Sequence, residues 1–308
     1  VAIVPPSRVA IIGVGLIGGS LARALKRAGE WVTGYDTDPM ALGRARELGV
    51  IDEPCAHLSG AVEGAEIVVI AVPLGAVPEV FQGIAGHLDE HAVITDVGSV
   101  KGSVVYAARR YLGNHLSRFV PGHPIAGSEH CGVESSCAGL FHGQRVILTP
   151  LAETDPRALE RVRLLWRQTG AVVEDMEIDR HDQLFAATSH LPHALAYALV
   201  RAAARVSGRS ALLRYAAGGF ADLTRIASSN PVLWRDIFFA NRARLIELIE
   251  CFREDLAMLR DAIEAEDGPA VVAFLDEAKN TRDALGAEQR IGPDLAGKKS
   301  GDSRPAPA

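Results

Sequence analysis

A glycine-rich turn between a short apolar run and an amphipathic one constrains this chain more than any other feature. Residues 9–36 read VAIIGVGLIGGSLARALKRAGEWVTGYD. Val9, Ala10, Ile11 and Ile12 predict a buried strand, Leu21, Ala22 and Leu25 a helix, and the segment closing at Asp36 a second strand. Gly13 permits a tight turn, Gly15 lets backbone approach a pyrophosphate, and Gly18 allows close helix packing, so unpaired N–H groups at the helix start can meet phosphate oxygens. Asp36, about 20 residues on, is placed to bond an adenine ribose 2′-OH and to repel a 2′-phosphate. The pattern predicts a βαβ site that takes NAD rather than NADP, with Gly13, Gly15, Leu16, Ile17, Gly18 and Asp36 as its contacts. Asp38 reads as a solvated turn residue.

A length of 308 residues suits two domains, and a hydrophobic content of 48% suits a soluble globular protein. The net charge of -6 gives no electrostatic case for a nucleic-acid partner or an anionic membrane. Cys55, Cys131, Cys137 and Cys251 are scattered without a CxxC pair, which argues for reduced thiols and against a zinc knuckle or disulfide framework. No apolar run approaches the ~18 residues of a membrane span. The opening residues, VAIVPPSR, lack the charged start and apolar core of a signal peptide, and the expectation is a cytoplasmic protein.

Beyond Asp36 a helix is predicted over 39–48, with Met40, Ala41, Ala45 and Leu48 at helical spacing and Gly49 ending it. EIVVIAVP (66–73) predicts a strand buried on both faces. Val72, Pro73 and the following Leu74 and Gly75 then fall at its carboxyl end, where open α/β sheets bind ligands. A strand over 92–97 leads through Asp96-Val97-Gly98-Ser99 to a helix starting near Lys101, and Ser99 by itself reads as that helix's cap. FVPGHPIAGSE (119–129) predicts a strand running into a loop that presents His123 to a ligand. An imidazole there suits the proton of a hydroxyl whose carbon loses hydride, and a histidine bonded within its own loop is the alternative. RVILT (145–149), a helix over 155–169 with Pro156 at its first position, and a strand over 171–176 complete a doubly wound sheet.

From Asp179 the pattern turns helical. The organisation expected is α/β: a Rossmann-type dinucleotide-binding domain over 1–178, an all-α substrate and dimerisation domain over 179–287, and a disordered tail over 288–308. Pro192 predicts a kink in a helix over 182–207, and His190 and His193 share one of its faces. No metal is expected there, because no third ligand lies at helical spacing. Gly218-Gly219-Phe220 reads as a break, and Pro231 as the start of one long helix carrying Leu245, Leu248, Ile249, Phe252, Leu256 and Leu259 in a stripe suited to a second subunit. A final helix is predicted to end near Leu285.

GVGLIGGSLA (13–22), DVGSVKG (96–102), GHPIAGSE (122–129), SHLPH (189–193), GGFADLTRIA (218–227) and PVLWRD (231–236) together resemble the prephenate dehydrogenase family of tyrosine biosynthesis, which includes arogenate and cyclohexadienyl dehydrogenases. The resemblance spans about residues 8–285. It implies NAD-dependent oxidative decarboxylation of prephenate to 4-hydroxyphenylpyruvate, with arogenate as a possible additional substrate. It implies that His123 accepts the proton of the ring hydroxyl, that Ser99 supports that hydroxyl, and that Arg225 binds a substrate carboxylate. His193, Glu129, Gly218, Asp222 and Trp234 match positions around the substrate pocket, some supplied by the partner of a homodimer. Feedback inhibition by tyrosine follows from the shared shape of substrate and product. A β-hydroxyacid dehydrogenase, or the imine reductase that shares its plan of a dinucleotide domain and a dimerising helical domain, is one alternative, and a non-catalytic NAD-sensing protein that keeps the glycine loop and Asp36 is another. A β-hydroxyacid dehydrogenase normally carries a catalytic lysine in its helical part, and this chain has no lysine between Lys101 and Lys279. An NAD-sensing protein need not keep His123 or Arg225.

Overall fold

The computed structural model describes residues 7–127, 131–207, 210 and 214–291. Its centre is a six-stranded parallel sheet in the order β3-β2-β1-β4-β5-β6. The strands are β1 (Arg8–Ile12), β2 (Trp31–Tyr35), β3 (Glu53–Pro54), β4 (Ile67–Ile70), β5 (Val93–Asp96) and β6 (Phe119–Val120). β1 pairs with β2 on one side and β4 on the other, so the chain reverses its winding at β1, and the crevice at that carboxyl end is where such sheets take ligands. Successive side chains of β1 enter opposite cores: Val9 and Ile11 pack with Leu21, Leu25 and Trp166, whereas Ala10 and Ile12 pack with Phe81, Ile84 and Phe119.

Helix α1 (Leu16–Arg27) follows the glycine turn. Gly13 has φ +97, and a β-carbon there would strike the Ala71 carbonyl; one on Gly18 would strike the carbonyl of Gly13. Helix α2 (Pro39–Glu47) buries Leu42 and Ala45, while Met40 is 81% exposed. Met40 does not belong to the buried face, because two residues of helix turn it about 200° away from Leu42. Asp38 does more than face solvent: it caps α2, accepting the Met40 N–H at 2.9 Å. The short α3 (Leu58–Val62) and α4 (Val77–Ile84) complete one flank of the sheet.

The remaining strands leave the main sheet, a departure from the single sheet expected. β7 (Gly122–Pro124) pairs antiparallel with β8 (Arg145–Leu148), and β8 pairs parallel with β9 (Val172–Asp175). Pro121 separates β6 from β7 and has no N–H to extend the first ladder. His123 therefore sits inside a strand, opposite Ile147, and not in a loop. Helix α5 (Lys101–Tyr111) starts where predicted, and α6 (Pro156–Gln168) is capped by Asp155, which accepts the Arg157 N–H.

Among the described residues no strand follows Asp175. Helix α7 (Ile178–Phe185) runs through a π turn (Ala186–His190) into α8 (Leu191–Ser207). The widened turn lies just before Pro192, whose ring would crowd the Thr188 carbonyl in an ordinary helix. Gly218 and Gly219 open helix α9 (Gly218–Thr224) and do not interrupt the chain as a break. The long helix expected from Pro231 is two helices, α10 (Pro231–Ala240) and α11 (Arg242–Glu264). They part at Asn241, which is buried and donates its side-chain N–H to the Asp182 carbonyl at 2.8 Å, a bond that an unbroken helix would not aim. Helix α12 (Gly268–Ile291) outruns Leu285, so the first residues of the expected tail are helical, and 292–308 lie outside the described residues.

The chain forms two compact units, Val1–Leu248 and Ile249–Ala308. In the first, a third core of Val100, Trp234 and Ile237 joins the carboxyl end of the sheet to α10, with Leu74, Tyr197 and Phe238 around it. In the second, Ile249, Leu256, Ile263, Val272 and Leu275 are exposed on α11 and α12. Among the described residues no helix is long and apolar enough to cross a membrane.

Candidate active site

The nucleotide end is built by β1, β2 and α1. Asp36 Oδ2 accepts the Val14 N–H at 2.9 Å and Oδ1 the Asp38 N–H at 3.0 Å, which holds the carboxylate beside the glycine turn. Helix α1 begins behind Gly15 with no side-chain cap and no acid in its first turn, so its positive end is left to an anion. A β-carbon on Gly15 would meet no atom of the protein. Internal packing therefore does not require glycine at this position, whereas a pyrophosphate lying against the turn would. Val72 stands against Gly13, and Pro73 opens the 3-10 turn Leu74–Ala76. Leu16 and Ile17 form the first turn of α1.

His123 sits between two rings, with centroids 5.0 Å from His181 and 4.8 Å from Phe185. Its Nδ1 lies 2.8 Å from His181 Nε2, and His181 Nδ1 lies 2.8 Å from Asp182 Oδ1. Burial would raise the Asp182 carboxyl, but His181 and the N–H groups of Lys101 and Gly102 hold it below the usual carboxylate range. An ionised carboxylate only accepts, so His181 carries its proton on Nδ1, accepts through Nε2, and receives the Nδ1–H of His123. The lone pair of His123 is thereby left on Nε2. Burial, then His181, Lys101 and His190, push His123 well below the ordinary imidazole value, and burial lowers His181 against the pull of Asp182.

Asp182 also takes the part expected of Ser99. The Lys101 N–H donates to its Oδ1 and the Gly102 N–H to its Oδ2, each at 2.8 Å, while the N-cap position of α5 is Val100 and Ser99 caps nothing. Asp182→Ala is expected to remove roughly 1 kcal/mol of helix capping. It should also lower turnover roughly tenfold or more, part of the 10²–10⁴ that a positioned base supplies. Thermal denaturation and kcat measured on the same preparation check both.

His190 is 1% exposed, its Nδ1 faces the Asn241 side-chain amide at 3.3 Å, and burial pushes it down to about 4. His193 donates Nδ1–H to the Ser189 carbonyl at 2.8 Å, and its ring stacks on Trp234 with centroids 3.5 Å apart. Trp234 also stands 6.2 Å from His190. Arg225 opens the 3-10 turn Arg225–Ser228 and acts on His193, which burial and then this guanidinium hold below its ordinary value. The Tyr197 hydroxyl anchors the end of that turn on the Ser229 carbonyl at 2.7 Å. Gly218 and Asp222 lie exposed on α9 and are hydrogen-bonded to none of these side chains, and Glu129 lies outside the described residues. Among the described residues no group of His, Cys, Asp or Glu is placed to hold a metal.

Four imidazoles with lowered values make the fold sensitive to acid. Each binds its proton less readily folded than unfolded, so this stability is complete above the unfolded value of about 6.5 and declines as pH falls toward the folded ones. The melting temperature is expected to drop steadily from pH 7 to about pH 4, the folded value of His190.

Pattern reading misses His181, Asp182 and Lys101. The available signals are a His-Asp doublet about two turns upstream of SHLPH and the single lysine in DVGSVKG.

A parallel sheet with a dinucleotide turn at its switch point, joined to helices that hold a neutral histidine by a carboxylate, is the arrangement of an NAD-linked dehydrogenase. Residues 21–175 match the family model described as prephenate dehydrogenase, nucleotide-binding domain, and residues 177–277 match prephenate dehydrogenase, dimerization domain. The chain belongs to the prephenate dehydrogenase family. It is 39% identical over 292 residues to the cyclohexadienyl dehydrogenase of Zymomonas mobilis, covering 92% of this chain and 98% of that one. A crystal structure of prephenate dehydrogenase from Aquifex aeolicus in complex with hydroxyphenyl propionate and NAD+ is 40% identical, with a TM-score of 0.84 over 92% of this chain and 99% of that one. Synechocystis arogenate dehydrogenase is 28% identical, with a TM-score of 0.75 over 90% and 99%.

Proposed function

We propose that this enzyme converts prephenate to 4-hydroxyphenylpyruvate in the cytoplasmic synthesis of tyrosine, with NAD as oxidant and arogenate as a slower substrate. The observation that carries the reading is the Asp182–His181–His123 chain, which leaves a neutral imidazole with its lone pair on Nε2. The printed names of the relatives, a cyclohexadienyl, a prephenate and an arogenate dehydrogenase, support the substrate class.

When bound, NAD supplies the acceptor for the hydride that leaves ring carbon 4. His123 takes the hydroxyl proton, Ser99 holds the same oxygen, and Arg225 pairs with a carboxylate through its planar fork. Carbon dioxide then leaves carbon 1 and the ring becomes aromatic. The reaction consumes no net proton, so the one held on His123 returns to the phenolic oxygen. His193 and Trp234 form the wall beside Arg225, with Glu129, Gly218 and Asp222 as further pocket positions. Gly13, Gly15, Leu16, Ile17, Gly18, Asp36, Val72 and Pro73 hold the dinucleotide. NADH formation from purified prephenate and arogenate, each with NAD and NADP, and with and without tyrosine, tests this directly. Prephenate with NAD is expected to be fastest and tyrosine to inhibit; no NADH from either substrate would sink the reading.

The domains follow the chemistry: a nucleotide domain over 1–178 and a helical domain over 179–287 that pairs two copies. The apolar residues Ile249, Leu256 and Ile263 recur every seven positions along α11, and all three are exposed in one chain. Leu256→Glu combined with Ile263→Glu is expected to convert a dimer into a monomer in light scattering; an unchanged mass would place the contact elsewhere.

A further inference from the structure

Lys101 has no exposed surface. A lysine is buried in this way only where its charge is matched, and here Nζ meets Asp96 Oδ2 at 2.5 Å. The proposed reaction gives this cation no task, since Arg225 takes the carboxylate and His123 the proton. Stability is a weak reason for it as well, because a buried ion pair is often no better than an apolar pair of the same volume.

The pair grips the backbone of the residue before the base. Lys101 Nζ donates to the Gly122 carbonyl at 2.6 Å, and Asp96 Oδ1 accepts the Gly122 N–H at 3.2 Å. Asp96 is itself held, with Oδ2 accepting the Gly98 N–H at 2.8 Å. The fit at Gly122 is close, for a β-carbon there would stand 2.9 Å from the Asp96 carbonyl oxygen. Lys101 also closes a ring. Its own N–H donates to Asp182, Asp182 holds His181, and His181 holds His123, one residue from Gly122.

We infer that Lys101 is a positioning residue for His123: its side chain sets the backbone at Gly122, and its amide, through Asp182 and His181, sets the imidazole. The inference rests on His123 being the base. The charged and titratable groups around that imidazole are His181 and Asp182 on α7, Lys101 on α5, Asp96 at the end of β5, and His190 in the π turn. Of these, His181, Lys101 and His190 oppose protonation of His123, and Lys101 is the one that carries a positive charge, paired with Asp96.

Two variants of the 308-residue chain test the inference. Lys101→Met removes the cation, and the double variant Lys101→Met with Asp96→Asn leaves no buried carboxylate unpaired, so it decides the matter if the single variant does not fold. The readouts are kcat, its pH profile, and NADH affinity by fluorescence. Turnover is expected to fall about tenfold or more in both, with NADH affinity nearly unchanged, as for a partly lost base. The acid limb of kcat should move to higher pH in Lys101→Met, because a nearby cation no longer disfavours imidazolium, and should move less in the double variant, where an anion leaves too. Turnover near that of the parent with an unmoved limb overturns the inference. So does an equal loss of turnover and NADH binding, the signature of a disturbed fold. His123→Asn assayed alongside separates the two readings: if it keeps parental turnover the base assignment falls, and if it alone loses turnover only the role of Lys101 falls.

Discussion

His123→Asn is expected to lower turnover by roughly 10²- to 10⁴-fold, the contribution of a positioned general base. Asparagine keeps a polar side chain of similar reach, and its amide N–H can still donate to His181 in the chain from Asp182, but it offers no basic lone pair to take the proton. The loss should appear in kcat, with KM for prephenate little changed, because the proton moves only in the transition state. The pH profile gives an independent check. In the parent enzyme, activity should rise with pH along a limb lying below the ordinary imidazole value of 6.5, since burial and its neighbours push His123 down. That limb should vanish in the variant. A variant with near-parental kcat, or a limb at or above the ordinary value in the parent, would refute the assignment.

Arg225→Ala is expected to act on binding. Truncating one partner of a desolvated charge pair removes roughly 2–5 kcal/mol, and because Arg225 is exposed in the single chain the lower end applies, a loss of roughly 30-fold in prephenate affinity. KM should rise by this factor with kcat nearly constant. Arg225→Lys should recover only part, since an ammonium does not match a carboxylate with two parallel donors. An unchanged KM in Arg225→Ala would move the carboxylate to another cation and leave the turn at Arg225–Ser228 without its proposed task.

The two halves of the site differ in how legible they are. The glycine turn, Asp36 and the apolar strands are local patterns: every contact that makes them work lies within about one βαβ unit, and spacing reports it. His123, Ser99 and Arg225 stand out only through the motifs around them, and the motifs say nothing of what orients the base. Ser99 illustrates the gap. A serine two residues before a helix reads as its cap, yet the first amides of α5 go to Asp182, 80 and 81 positions away along the chain. The break at Asn241 has the same origin, a side-chain bond to the Asp182 carbonyl that heptad-like spacing in α11 gives no hint of.

Sequence by itself determined the dinucleotide turn, the preference for NAD that Asp36 implies, the run of parallel strands and the switch to helices near Asp179, because each is written in residues that are neighbours along the chain. Tertiary structure alone decided that His123 lies in a second sheet, that His181 and Asp182 choose which of its nitrogens holds the lone pair, and that a lysine without solvent contact spans the gap between them. The physical reason is that a tautomer and a buried charge are set by what surrounds them in space, and those surroundings come from segments some 20 to 80 residues apart, which no local periodicity connects.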